Sequence, residues 1–224
     1  MSSSRAPQPF RAFLSYSSKD KKFAGRIKAL LEVYNVDAFL AHEDISPAAD
    51  WQQTILKELN RCNVFMPLIT KQNFHDSYWT DQECGFALAR NKVILPISSR
   101  IPYGFLEKFQ AHKRKPGKKE TDLIEDVLAG LARRKPMGNR FLASVISALR
   151  ASSSTDQSIA LSKFLLRSLP FSTAQMNTIL RNSLAQPQVL GSSKAVKLLR
   201  QLVRRNPKKA EKVLVNRFNK KVTL

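Results

Sequence analysis

The segment Ser77-Tyr78-Trp79-Thr80-Asp81-Gln82-Glu83 brings a hydroxyl, an indole and a carboxylate within two turns of one helix. Trp79 and Glu83 are four residues apart, and residues at that spacing share a helix face. An aromatic plane beside a carboxylate is a usable geometry for gripping a ribose and its flat base. Each residue also has a plainer reading. A glutamate on a helix is ordinarily solvated, and a tryptophan ordinarily packs. Cys84, next to Glu83, has no histidine near it in sequence to activate a nucleophile, so it reads as a small buried thiol. The chemistry therefore depends on the elements that place these side chains.

Those elements alternate. Phe10 to Tyr16 reads as a strand, and Ser17 to Asp20 as a turn or cap. Phe23, Ile27, Leu30, Leu31 and Tyr34 recur at helical spacing, and Asn35 stops that helix. Val36 to Leu40 is a second strand. The polar, proline-broken segment Ala41 to Asp50 is a loop, and Asp50-Trp51-Gln52-Gln53 looks like a capping box opening the next helix. Asn63 to Ile69 is a third strand, apolar enough to be buried on both faces but interrupted by Pro67. Ser77 to about Arg90 is a helix, and Lys92 to Ile97 a fourth strand. Phe105 to Ala111 offers a last edge element before the basic loop His112 to Lys119, and Leu123 to Leu131 carry an amphipathic closing helix. Strands that alternate with helices over connections too long for hairpins form a parallel sheet with helices on both faces. The cleft of such a sheet lies beyond the carboxyl ends of its strands. Tyr16 to Asp20, the loop at 41–50 and the start of the helix at Ser77 all fall on that rim.

Beyond Lys135-Pro136-Met137-Gly138 the pattern is all-helical, with expected helices over 139–151, 157–168, 173–185, 192–205 and 208–219 and a capping box at Ser172 to Gln175. The charge divides at the same place. The chain of 224 residues has a net charge of +21, and residues 139–224 carry 16 Lys/Arg against only Asp156 and Glu211. Within that module Lys194, Lys197, Arg200, Arg204, Arg205, Lys208 and Lys209 form a dense basic run that attracts polyanions. The run lacks interleaved aromatics for base stacking, so contact with phosphates independent of sequence is the most it offers nucleic acid. The alternative is an ordinary solvated helical surface. Two cysteines, Cys62 and Cys84, point to a reducing cytosol and not to a disulfide framework. His42, His75 and His112 have no zinc spacing. No run spans a bilayer, and the first nine residues lack the apolar core of a signal peptide.

Four segments in order make the first part of the chain resemble the Toll/interleukin-1 receptor (TIR) domain family. They are Phe13-Leu14-Ser15-Tyr16-Ser17-Ser18-Lys19-Asp20, the loop Asp44-Ile45-Ser46-Pro47-Ala48-Ala49-Asp50-Trp51, Ser77-x-Trp79-x-x-x-Glu83, and Val93-Ile94-Leu95-Pro96-Ile97. The resemblance covers roughly residues 8–135. It implies a flavodoxin-like parallel sheet, with residues 1–8 as a disordered N-terminus, a TIR domain at 9–135 and a basic helical module at 139–224.

The family divides into adaptors that only recruit similar domains and enzymes, common in bacterial defence and plant immunity, that cleave the nicotinamide–ribose bond of NAD⁺. For the second branch the resemblance implies Glu83 as the catalytic glutamate, and Ser77 and Trp79 as pocket residues one turn earlier. Tyr16 and Ser17 match the first-strand loop that touches the dinucleotide, and Trp51 ends a loop that reaches the neighbouring subunit's cleft. Trp51 also reads as a plain hydrophobic anchor. NAD⁺ is then substrate, with no resident cofactor and no metal. Two features depart from the pattern: Ser17-Ser18 stand where many NAD⁺-cleaving relatives have arginines, and Ala48 or Ala49 replaces the usual loop glycine. The expected reaction expels neutral nicotinamide from a cationic ring, so it needs no general acid, and one carboxylate suffices to steady the oxocarbenium-like ribose. The products are nicotinamide and ADP-ribose, or a cyclic or linked ADP-ribose signal. The implied setting is a cytoplasmic defence or cell-suicide effector, free of membrane and active when self-associated, with a protein partner or nucleic acid on the basic helices. A non-enzymatic TIR scaffold and a nucleic-acid-associated sensor are the alternatives.

Overall fold

Three phenylalanines lie side by side across three strands, and the rest of the sheet is built around them. In this computed structural model, which describes residues 9–40, 50–70, 77–168 and 170–222, β1 (Phe10–Ser15) pairs with β2 (Val36–Leu40) on one side and β3 (Val64–Ile69) on the other, both parallel. The register sets Phe13 opposite Phe39 and Phe65. Their ring centroids are 5.3 and 5.8 Å from that of Phe13, within the range of favourable aromatic contact. β4 (Val93–Ile94), β5 (Ile97–Ser98) and β6 (His112–Lys113) complete six parallel strands in the order β2-β1-β3-β5-β6, with β4 also on β3. With β4 and β5 counted as one interrupted strand, this is the flavodoxin-like order. The expected N-terminal segment 1–8 and all but the last residue of the loop 41–50 lie outside the described residues.

The interruption has a local cause. Leu95 N–H donates to Phe65 C=O (2.9 Å) and Ser99 N–H to Ile69 C=O (3.1 Å). Alternation along β3 turns Pro67 toward the same neighbour, and proline has no N–H to offer. The single strand expected over Lys92–Ile97 is therefore split at Leu95-Pro96, while β3 keeps its full length and is buried throughout. The edge element also differs from the expectation. Phe105 falls in a 3-10 turn (Gly104–Leu106), and the edge strand is His112–Lys113, inside the segment read as a basic loop. His112 N–H bonds Pro96 C=O at 2.8 Å and Arg114 N–H bonds Ser98 C=O at 2.8 Å. A two-residue cationic edge suits a sheet that must not pair with another.

The helices are α1 (Lys21–Glu32), α2 (Trp51–Arg61), α3 (Tyr78–Ala89) and α4 (Glu120–Ala132). Asp50 caps α2, its carboxylate accepting the Gln53 N–H at 3.0 Å. The face of the sheet that bears the phenylalanine row is covered by Ile55 and Leu59 of α2 and by Cys84 and Ala87 of α3. Arg26 of α1 grips Glu120 of α4 with two hydrogen bonds of 2.8 Å.

The described residues divide into two compact units: Pro9–Glu32 with Val36–Leu131, and the residues from Ala132 on with Val33–Asn35. The second is helical: α5 (Met137–Arg150), α6 (Thr155–Arg167), α7 (Thr173–Leu184), a single turn α8 (Pro187–Leu190), α9 (Ser193–Arg205) and α10 (Lys212–Lys221). Phe141 and Phe164 meet edge to face at 5.8 Å, and Tyr34 adds a third ring 5.3 Å from Phe164. Asn35, in the left-handed region at φ 58°, donates its amide to Ser144 Oγ at 2.8 Å. The Ser172–Gln175 capping box is present with both of its hydrogen bonds. The last helix starts at Lys212, later than the periodicity suggested, because Asn177 holds the preceding turn: its Nδ2 donates to Glu211 Oε1 (2.7 Å) and its Oδ1 accepts the Glu211 N–H (3.0 Å). Among the described residues no helix is long and apolar enough to cross a membrane.

Phe13 is fully buried at the centre of the aromatic row. Phe13→Ala should cost about 3–5 kcal/mol of stability, measured by urea unfolding; a loss under about 1 kcal/mol would show that the row is not central to the core.

A candidate active site at the carboxyl end of β1

Two residues beyond Phe13, on the same face of β1, stands Ser15, paired in register with Pro67. The strand ends there. Opposite it, α3 presents a buried stripe of Thr80, Glu83, Cys84 and Ala87, the i, i+3, i+4, i+7 spacing of a core-facing side. Glu83 thus occupies a position that the helix otherwise gives to small or apolar residues. Its side chain is 5% exposed. Ser15 Oγ donates to Glu83 Oε2 at 2.6 Å. Among the described residues no cation pairs with it. Burial pushes the Glu83 carboxyl up to about 7, the Ser15 hydrogen bond opposing that shift in part.

The neighbouring side chains form a graded rim. Trp79, one turn before Glu83, is 43% exposed, so its ring is partly at the surface while the Glu83 side chain is buried. Ser77 is the N-cap of α3 but makes no side-chain capping bond; its carbonyl instead accepts the Thr80 hydroxyl at 2.7 Å. Tyr16 and Ser17 are both 4% exposed, so the described conformation offers a ligand little of either side chain. Trp51 is half-buried against the cluster that contains Phe13 and Phe65, which is the anchoring role that its position also suggested. Cys84 is a buried free thiol, and its pKa is raised by burial and then by Glu83 and Asp81. It is held as the unreactive thiol.

Two contacts at this rim were not anticipated. Period two from Phe13 places Ser15 on the α3 face, where its hydroxyl reaches Glu83. Thr70, at the carboxyl end of β3, donates to Asp20 Oδ2 at 2.6 Å and ties the turn after β1 to the end of β3. Nothing in the spacing of two residues so far apart announces that link. α3 is further fixed by Tyr103, whose hydroxyl donates to Asp81 Oδ1 at 2.6 Å. A separate cavity of about 310 Å³ opens near the amino-terminal half of β1 and is lined by Arg11, Lys28, Asp37, Glu58 and Arg61 among others. Its charges are engaged with one another, Arg61 to Glu58 at 2.9 Å and Arg11 to Glu58 at 3.5 Å, and Glu83 is not among its walls. Among the described residues no cluster of three or more His, Cys, Asp or Glu could hold a metal ion.

The raised Glu83 pKa has a consequence for stability. The folded chain keeps this proton up to about pH 7, whereas an unfolded glutamate loses it near 4.5. Between those values the folded state binds more protons, so the contribution of Glu83 declines as pH rises through that window and levels off above it. The full amplitude is about 3 kcal/mol. Glu83→Gln keeps a carbonyl to accept from Ser15 and has no proton to lose. Its stability relative to the parent chain should therefore climb by about 3 kcal/mol between pH 4.5 and pH 7.5 in urea titrations. A difference independent of pH would mean that the carboxyl titrates normally.

A search of curated proteins returns no match. Among solved structures, the chain is similar to the TIR domain of the Toll-related receptor TRR-2 from Hydra magnipapillata, at 19% identity and a TM-score of 0.40, over 45% of this chain and 80% of that one. It is also similar to a 2-desoxiribosyltransferase from Leishmania mexicana, at 15% identity and a TM-score of 0.36, over 47% of this chain and 75% of that one. Residues 12–124, half of the chain, match the family model of the TIR domain, and the chain belongs to the TIR domain family.

Proposed function

We propose that the sheet-bearing unit is an NAD⁺ glycohydrolase in which Glu83 is the catalytic residue. The observation that carries the reading is a buried carboxylate at the carboxyl end of β1, oriented by one hydroxyl at 2.6 Å and, among the described residues, lacking a counter-ion. Such a group is costly to keep, and cationic chemistry gives it a partner. The nicotinamide ring of NAD⁺ brings one positive charge. As the C–N bond breaks, the bonding pair returns to the ring, nicotinamide leaves neutral, and the positive charge passes to the ribose. A fixed carboxylate in a water-poor site stabilises that charge far better than solvent does. Ser15 aims one oxygen and leaves the other for the ribose hydroxyls. Exposed Trp79, one turn earlier, would supply an aromatic face, and Ser77 a hydroxyl at the start of the same helix. Water adding to the ribose carbon gives ADP-ribose and releases a proton; an adenine nitrogen or a ribose hydroxyl adding there gives a cyclic or linked product. Self-association through the TIR unit is part of this reading, with Trp51 at the end of the loop that would meet a neighbouring copy.

Removal of the carboxylate should lower turnover by about 10²-fold or more. The assay is release of nicotinamide and ADP-ribose by mass spectrometry at high protein concentration, parent chain beside Glu83→Ala, with folding checked by circular dichroism. Equal NAD⁺ consumption by the two would leave a non-enzymatic scaffold as the reading. Because the carboxylate must be ionised to act, kcat/KM should rise with pH and level off above the free-enzyme value of about 7. A rise complete by pH 5 would detach Glu83 from the chemistry.

A further inference from the structure

The basic run of the helical unit is a structured surface, and it lies chiefly on one helix. α9 buries Ala195, Val196, Leu199 and Leu202 in the bundle. At 100° per residue the opposite face carries Lys194, Lys197, Arg204 and Arg205, all exposed, with half-buried Gln201 between them. The stripe is about 16 Å long. The helix contains no acidic residue, and none of these four cations has an ion-pair partner among the described residues. Exposed Lys208 and Lys209 continue the charge into the following turn.

Helix stability does not account for this pattern. Arg204 and Arg205 in the last turn complement the helix dipole. Lys194 in the first turn opposes it, and Lys194 and Lys197, three apart on one face, repel. The stripe therefore carries repulsion that an external polyanion would relieve. The face also discriminates between polyanions. A protein interface concentrates apolar and aromatic side chains at its centre and is depleted in lysine, and this face has neither an aromatic nor an exposed large apolar residue. Insertion into a lipid surface needs an apolar face, and that of α9 is spent in the bundle. A phosphodiester backbone needs only cations in register with a rigid support.

We propose that the exposed face of α9 binds nucleic acid through its phosphates, independent of sequence. This does not rest on the NAD⁺ reading, and the test leaves that chemistry aside. Binding of the full chain to a fluorescent 30-base-pair duplex of random sequence is measured by anisotropy across a salt series. The comparison is with K194Q/K197Q/R204Q/R205Q and with a control, K57Q/K113Q/K115Q/K119Q, which removes four exposed lysines from the sheet-bearing unit. Four phosphate contacts correspond to a log–log salt slope of about −3.6, or a loss of about 10²-fold between 50 and 200 mM salt. The α9 variant should lose that increment of slope and bind at least tenfold more weakly at 100 mM salt, with unchanged circular dichroism. The control should stay within about twofold of the parent. Equal losses in the two variants, no binding of the parent chain at 50 mM salt, or tighter binding to phosphatidylcholine–phosphatidylserine vesicles of matched charge would each overturn the proposal. Should the fourfold variant unfold, the pairs K194Q/K197Q and R204Q/R205Q are each expected to remove about half of the slope, and no change in either pair would likewise overturn it.

Discussion

A single hydrogen bond, from Ser15 Oγ to Glu83 Oε2 at 2.6 Å, joins the end of the central strand to the helix that covers it. Everything beneath it is apolar. The row Phe39-Phe13-Phe65 and the α2 and α3 residues above it form a floor with no polar group to offer a charge. Glu83 sits on that floor because α3 is locked by Cys84 and Ala87 in the core and by the Tyr103–Asp81 bond outside it. Burial accounts for its raised pKa, the Ser15 hydrogen bond opposing the shift in part. A group held in this way is a strain on the fold and a reservoir of field strength. On the proposed chemistry the same energy that disfavours the resting anion favours a cation arriving beside it.

The two units solve different electrostatic problems. In the sheet-bearing unit several charged side chains pair with each other: Arg26 with Glu120, Arg61 and Arg11 with Glu58, Lys118 with Asp126. In the helical unit acidic partners are almost absent, and one of the two, Glu211, is committed to Asn177 and to Arg181 at 3.6 Å. The bundle holds together through its rings, its caps and its buried amides. Asn182 donates to Ile146 C=O at 2.7 Å and Gln186 to Arg150 C=O at 2.7 Å. Lys194, Lys197, Arg204 and Arg205 are thereby left exposed on the surface of α9.

Much of this was legible from the chain. The alternation of apolar strands with amphipathic helices states a parallel sheet with covered faces. Asn35 ends its helix in the left-handed conformation that asparagine tolerates, and the Ser172–Gln175 box closes as its residue types require. The misreadings were local contests. The edge strand moved to His112–Lys113 because pairing with Ile97–Ser98 depends on where the chain returns, not on apolar content. The fourth strand broke because two prolines on neighbouring strands fall at the same level, which no single strand reveals. Ser15 and Thr70 escaped notice because their partners are distant in sequence.

The sequence by itself determined the order of the elements and set a glutamate four residues after a tryptophan on one helix, since these depend on residue type and short-range spacing. It could not decide whether Glu83 faces water or the core. A glutamate four residues after a tryptophan is compatible with either, and the choice belongs to the rotation of α3 against β1. Tertiary structure made it by burying Thr80, Cys84 and Ala87, which carries Glu83 inward against Ser15 and leaves Trp79 at the surface. Burial is a property of the packed whole, and with it come the altered pKa, the orientation and the reach of the charge.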